Sequence, residues 1–215
     1  DTLLDSYTEQ ALGLLDGENG EGVDALLIET QFDLNVAKIA TLACLDAMRA
    51  RHKRVPLMVQ VTMETTGTML LGTEMAAAIA ALEALPIDVL GMNCATGPEL
   101  MRQHIEVLSR NWPRFLSVQP NAGLPVLHEG HTHFPLSAEE LAQAHRDFVT
   151  TFGINIAGGC CGTTPAHIKL LAETLRGIAP AARECFARPT TAATATVASL
   201  YAAVNARQDL SILII

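Results

Sequence analysis

Short, continuously apolar runs alternate with longer stretches of helical spacing through most of this chain. Asp24–Thr30, Val55–Val61, Ile87–Met92, Phe115–Val118 and Ile154–Ala157 are rich in Val, Ile and Leu and are closed by polar residues or glycine. That is the pattern of parallel strands buried on both faces. Asp5–Leu15, Leu34–Ala50, Leu71–Leu85, Pro98–Ser109, Ala138–Phe152 and Pro165–Arg176 space their apolar residues three and four apart, which predicts helices, with Ser6 a candidate cap of the first. The strand ends near Glu29, Thr62, Cys94, Asn121 and Cys160 recur every 27 to 39 residues, each followed by a helix. The repeat is β/α. A closed eight-unit barrel of this kind takes about 250 residues and gathers its functional residues at the C-terminal ends of its strands. An open doubly wound sheet would carry a Gly-x-Gly-x-x-Gly loop after its first strand, and none is present. The expected fold is therefore α/β of the (β/α)8 TIM-barrel type, represented by about five C-terminal units. A chain that opens inside a helix implies about three further units N-terminal to it, on the order of 90 residues. A lone five-strand sector with two open edges is expected to aggregate.

Composition narrows the class. Of 215 residues 49% are apolar but only 4% aromatic, so the core must be built from Ala, Leu, Ile, Val and Met. A net charge of −9 with scattered Lys and Arg argues against nucleic acid as a partner. No apolar run approaches the roughly 18 residues of a membrane span, and no basic stretch precedes an apolar core at the N-terminus; a cytoplasmic location is expected. Five cysteines, two of them adjacent, do not form a secreted disulfide framework. From Ala179 to Thr196 the composition turns to Ala, Thr and Pro, a linker signature, and Leu210–Ile215 reads as one more strand.

The chemistry concentrates in Gly158-Gly159-Cys160-Cys161-Gly162-Thr163-Thr164-Pro165. Neighbouring side chains on a strand point to opposite faces, so two adjacent thiols converge only where the backbone turns sharply. The glycines permit such a turn by tolerating positive φ, and Thr164 and Pro165 suit the cap and first position of a helix. Cys94 ends another apolar run and precedes Gly97-Pro98 and a helix, an equivalent corner. Three soft sulfurs at strand ends suit zinc and leave one tetrahedral position for substrate. Inert core thiols or a vicinal disulfide are the alternatives. Cys44 falls in the apolar spacing of its helix and reads as core.

Gly91-Met92-Asn93-Cys94, Gln119-Pro120-Asn121-Ala122-Gly123-Leu124-Pro125 and the Gly158–Pro165 segment together resemble the three signature strand ends of the homocysteine S-methyltransferase family. The resemblance runs from about Asp5 to Ile178 and weakly on to Ile215. It implies a barrel in which zinc held by Cys94, Cys160 and Cys161 binds the sulfur of homocysteine, activating it as the nucleophile that takes a methyl group to give methionine. Within the family the match is nearest to the homocysteine-binding module of cobalamin-dependent members. There methylcobalamin is presented by another module, whose Asp-x-His-x-x-Gly signature is absent here. On that resemblance residues 1–178 are a partial homocysteine-binding barrel, 179–208 an interdomain linker, and 209–215 the first strand of a methyltetrahydrofolate-binding (pterin) domain. The fragment alone is expected to be inactive. Family members that use betaine or S-methylmethionine, and an inactive truncated scaffold, are the alternative readings.

Substrate contacts are expected at the same strand ends. Glu29 is placed to pair with the homocysteine ammonium, or is a solvated carboxylate. Asn121 touches the metal through its carbonyl or shapes the turn. Asn93 contacts substrate or hydrogen-bonds a ligating sulfur. Thr62 and Glu64 line the pocket or belong to a loop. His128, His131 and His133 offer a His-x-His pair but sit in a Gly-containing segment where solvated histidines are the commoner case. His52, His104, His145 and His167 are isolated on helical faces and read as structural or exposed.

Overall fold

The computed structural model describes residues 2–128, 130–187, 196–198 and 203–205. Five parallel strands, β1 (Leu26–Gln31), β2 (Leu57–Val61), β3 (Val89–Asn93), β4 (Phe115–Gln119) and β7 (Ile156–Ala157), lie side by side in chain order. The crossovers carry α2 (Leu34–Ala50), α3 (Met75–Leu82), α4 (Pro98–Asn111) and α5 (Ala138–Asp147); α1 (Thr2–Asp16) precedes the sheet and α6 (Pro165–Leu175) follows it. This is the β/α sector expected from the alternation. Ser6 lies inside α1 rather than at its cap.

Register decides which side chains meet the helices. Leu26, Ile28, Leu57, Val59, Val61, Leu90, Met92, Leu116 and Val118 share one face and form a single core with the helices. The other face carries Leu27, Met58, Val89 and Phe115 in one lateral row and Gln60, Gly91 and Ser117 in the next. Strands buried on both faces were expected, yet Leu27 and Phe115 remain 42% and 54% exposed on the face away from the helices. The Gln60 amide nevertheless donates to Ser117 Oγ at 2.8 Å across that face, and a side chain on the intervening Gly91 would collide with Ser117 O.

Local features depart from the sequence pattern, among them α3, which runs from Met75 to Leu82 rather than Leu71 to Leu85. The helix expected through Phe152 ends as α at Asp147 and continues as one wide π turn, Phe148–Phe152, closed by Gly153. A small antiparallel pair, β5 (Val126–His128) with β6 (His131–His133), stands where a plain loop was expected. The segment after Ile178 starts as a docked strap: Arg183 donates to Trp112 O and Arg114 O, and Cys185 Sγ to Ser109 O and Trp112 O. The bonds to Ser109 O and Trp112 O satisfy carbonyls that the end of α4 leaves open. Two short strands, β8 (Thr196–Ala198) and β9 (Ala203–Asn205), pair further on. The expected strand at 209–215 lies outside the described residues.

His145 on α5 is fully buried, and its Nε2 lies 2.7 Å from Gly158 O. Burial pulls its pKa down to about 4, against a smaller opposing effect of that hydrogen bond. A folded-state value below the ordinary 6.5 means that the unfolded chain binds the proton more readily. The resulting stability is present above about pH 6.5 and is lost as pH falls through about 4. Between pH 7 and 4, urea unfolding of the wild type should lose on the order of 3 kcal/mol more than that of His145→Gln.

Candidate metal centre

The site stands at the C-terminal ends of β3, β4 and β7. Alternation along β3 would send Cys94 to the helix face, opposite Asn93. Instead Cys94 and Ala95 adopt left-handed φ of 63° and 56°, and Thr96 N bonds back to Cys94 O at 2.7 Å. Non-glycine residues held there cost about 1–3 kcal/mol each and cluster at functional sites. No glycine announces this turn in the sequence.

The facing corner is pinned by its backbone. Gly158 N donates to Val118 O (3.2 Å), Cys160 N to Pro120 O (2.8 Å), and Ala122 N to Cys161 O (2.8 Å). Cys160 O accepts from Thr163 Oγ1 at 2.7 Å. The glycines serve differently from the expectation: of the three, only Gly162 takes a positive φ, +79°. Gly159 is required by closeness, since a Cβ there would stand 2.3 Å from Thr163 Cγ2. Thr164 and Pro165 do open α6, and His167 closes its first turn by accepting from Thr164 N while its Nε2 bonds Leu136 O.

These two turns bring the three sulfurs together. Cys94 Sγ lies 3.6 Å from Cys161 Sγ, and all three Sγ atoms are within 4.8 Å of one another. Three sulfurs at about 2.3 Å from one tetrahedral ion stand about 3.8 Å apart, so the trio fits a single zinc. Cys94 and Cys160 are half-buried and Cys161 is exposed, which leaves one side open. Burial first, then the contact with Cys94, pushes the Cys160 thiol up to about 12; the hydrogen bond with Cys94 raises Cys161. A metal ion coordinated by a thiol deprotonates it outright. Cys44 is buried on α2 at a distance from this group.

Asn93 ties the cluster to β1. Its Oδ1 accepts from Thr30 N (2.9 Å), and its Nδ2 donates to Thr30 Oγ1 (2.7 Å) and lies 3.7 Å from Cys160 Sγ. The hydrogen bond to a sulfur thus exists, toward Cys160 and not its neighbour Cys94. Thr30, with φ 55° at an irregularity in β1, had no sequence signal beyond its place at a strand end. Asn121 Oδ1 accepts from Cys161 N at 3.1 Å. Glu29 is exposed and lines a cavity of about 280 Å³ with Tyr7, Gln10 and Gln31. Thr62 is buried and Glu64 lies in the following loop. His131 and His133 are exposed on β6, and among the described residues Cys94, Cys160 and Cys161 form the group with metal-ligand spacing.

A β/α-barrel sector that presents three convergent cysteines at its strand ends defines a protein of the barrel class with a candidate thiol-rich metal site. The chain belongs to the homocysteine S-methyltransferase family, which it matches over residues 1–175. It is 46% identical to the methionine synthase of Mycobacterium tuberculosis over 213 residues and 46% identical to that of Mycobacterium leprae over 216 residues, covering 99% and 98% of this chain. It spans 17% of the length of each of those relatives. The homocysteine methyltransferase MmuM from Escherichia coli shares the fold: its apo form superposes with a TM-score of 0.56 at 22% identity, covering 80% of this chain and 57% of that one. A metallated form of MmuM gives 0.56 at 24% identity over 79% and 51%. No helix among the described residues is long and apolar enough to cross a membrane.

Proposed function

We propose that this chain binds homocysteine through its sulfur at a zinc ion held by Cys94, Cys160 and Cys161, and that the sulfur is methylated to give methionine. The observation that carries the reading is the convergence of three sulfurs within 4.8 Å from two separate strand ends. When bound, zinc supplies the Lewis acidity that keeps a thiol ionised at neutral pH. The protein's own groups hold the geometry. Asn93 restrains Cys160, Asn121 fixes the peptide of Cys161, and the exposed side at Cys161 admits the substrate. Glu29 takes the substrate ammonium by charge pairing. Ligand thiols must lose their protons on metal binding, so zinc affinity falls as pH falls. All five cysteines are free, in keeping with a reducing cytoplasm.

The methyl donor in this reading is methylcobalamin, carried with the methyltetrahydrofolate-binding module elsewhere in a longer chain. The support is the 46% identity to methionine synthases across nearly all of these residues, against 22–24% to MmuM. Residues 179–208 then connect this barrel to the next module, with the strap at Arg183 and Cys185 anchoring the near end of the connection. The test is methionine formation by the whole protein from homocysteine with methylcobalamin, betaine or S-methylmethionine supplied separately. Methylcobalamin should be the productive donor; faster turnover with either of the others would replace the donor assignment.

A further inference from the structure

We infer that His145 is a positioning residue for the metal centre, its Nε2–H holding the Gly158 carbonyl so that Cys160 and Cys161 stay in register with Cys94. The inference rests on the zinc reading above and extends it to a residue on a different element.

Gly158 O can only accept, so the imidazole must carry its proton on Nε2. The 2.7 Å contact is made from a ring with no solvent exposure, packed edge-on against Phe148 at 5.9 Å between centroids. Nδ1 has no hydrogen-bond partner among the described residues. One nitrogen is therefore committed to the glycine turn and the other is only sterically enclosed. Gly158 is the last residue before the turn to have its N–H tied to the sheet, through Val118 O. With the His145 bond its peptide groups are fixed from both sides, by β4 and by α5. Two residues on, the sulfurs must meet Cys94, whose own strained turn leaves it little freedom to follow a displaced partner. Loss of the α5 contact would leave a part-buried carbonyl without its partner and release the corner that carries two of the three ligands. Groups that orient ligands from outside the coordination shell typically contribute 10–100-fold to metal affinity.

The choice of amide isolates the hydrogen bond from the packing. Glutamine can place its N–H near the position of the histidine Nε2, whereas asparagine places its own nearer Nδ1. Zinc affinity is measured on the whole protein by competition with a chromophoric chelator. The expected result is a loss of about 10–100-fold in His145→Leu and His145→Asn, with His145→Gln close to wild type. Equal affinity in wild type and His145→Leu overturns the inference, as does an equal loss in the Gln and Asn variants, which would make the role one of packing. If His145→Leu does not fold, the Gln and Asn pair decides by the same criterion. A wild-type protein that takes up no zinc would instead overturn the metal reading itself, and this inference with it.

Discussion

Serine in place of Cys160 is expected to empty the metal centre. Cys160 is the half-buried member of the pair, contacted by Asn93 and crowded by Cys94 and Cys161. An alkoxide or hydroxyl is a harder and shorter donor than a thiolate, poorly matched to a site spaced for sulfur. Outer ligands' partners alone contribute 10–100-fold to affinity, so loss of a direct ligand should exceed about a hundredfold. Zinc per chain should drop from one to near zero, and methionine formation should fall with it. Serine at Cys94 or Cys161 should do the same. Alanine at Cys44 is the control: that thiol is buried on α2 and pushed up to about 11 by desolvation. Its loss should lower the melting temperature through a small cavity while zinc content stays unchanged.

Gly91→Ala should be the most damaging single methyl in the sheet. A Cβ at Gly91 would sit 2.1 Å from Ser117 O and 2.8 Å from both Ser117 C and Cβ. Gly91 and Ser117 are register partners in β3 and β4, so the obstacle is backbone that cannot rotate aside. Overpacking in a rigid core costs about 1–3 kcal/mol and sometimes more, a large part of the roughly 5–15 kcal/mol that holds a domain folded. The displaced strand also carries Asn93 and Cys94. A melt should show a large drop in stability, with zinc uptake impaired in whatever protein folds. Gly13→Ala supplies the contrast: nothing lies within 4 Å of a Cβ there, and on α1 alanine is the better helix former by about 1 kcal/mol.

The strands were legible because each is a short apolar run whose helix-facing half must be buried, and the helices because their apolar spacing is regular and stops at glycine or proline. Cys160 and Cys161 were legible because a cysteine pair among glycines before Thr-Thr-Pro has few ordinary explanations. What escaped was geometry without a composition signal. Cys94 turns in a left-handed conformation with no glycine to mark it, so its approach to Cys161 depends on bonds to Gln119 O and within its own turn. Gly158 and Gly159 were read for φ freedom, yet the requirement at Gly159 is room beside Thr163. The β5–β6 pair uses three-residue strands with His131 and His133 exposed, too short and too polar for a period-two pattern to show. Isolated histidines on helical faces look alike in sequence. Only the fold separates His145 and His167, which bond the carbonyls of Gly158 and Leu136, from the exposed His52.

Zinc-edge X-ray absorption on the whole protein, with and without homocysteine, tests the central claim most directly. Three sulfurs at about 2.3 Å with one lighter ligand are expected before substrate, and four sulfurs after it. A protein without zinc, or a metal shell that homocysteine leaves unchanged, would contradict the account.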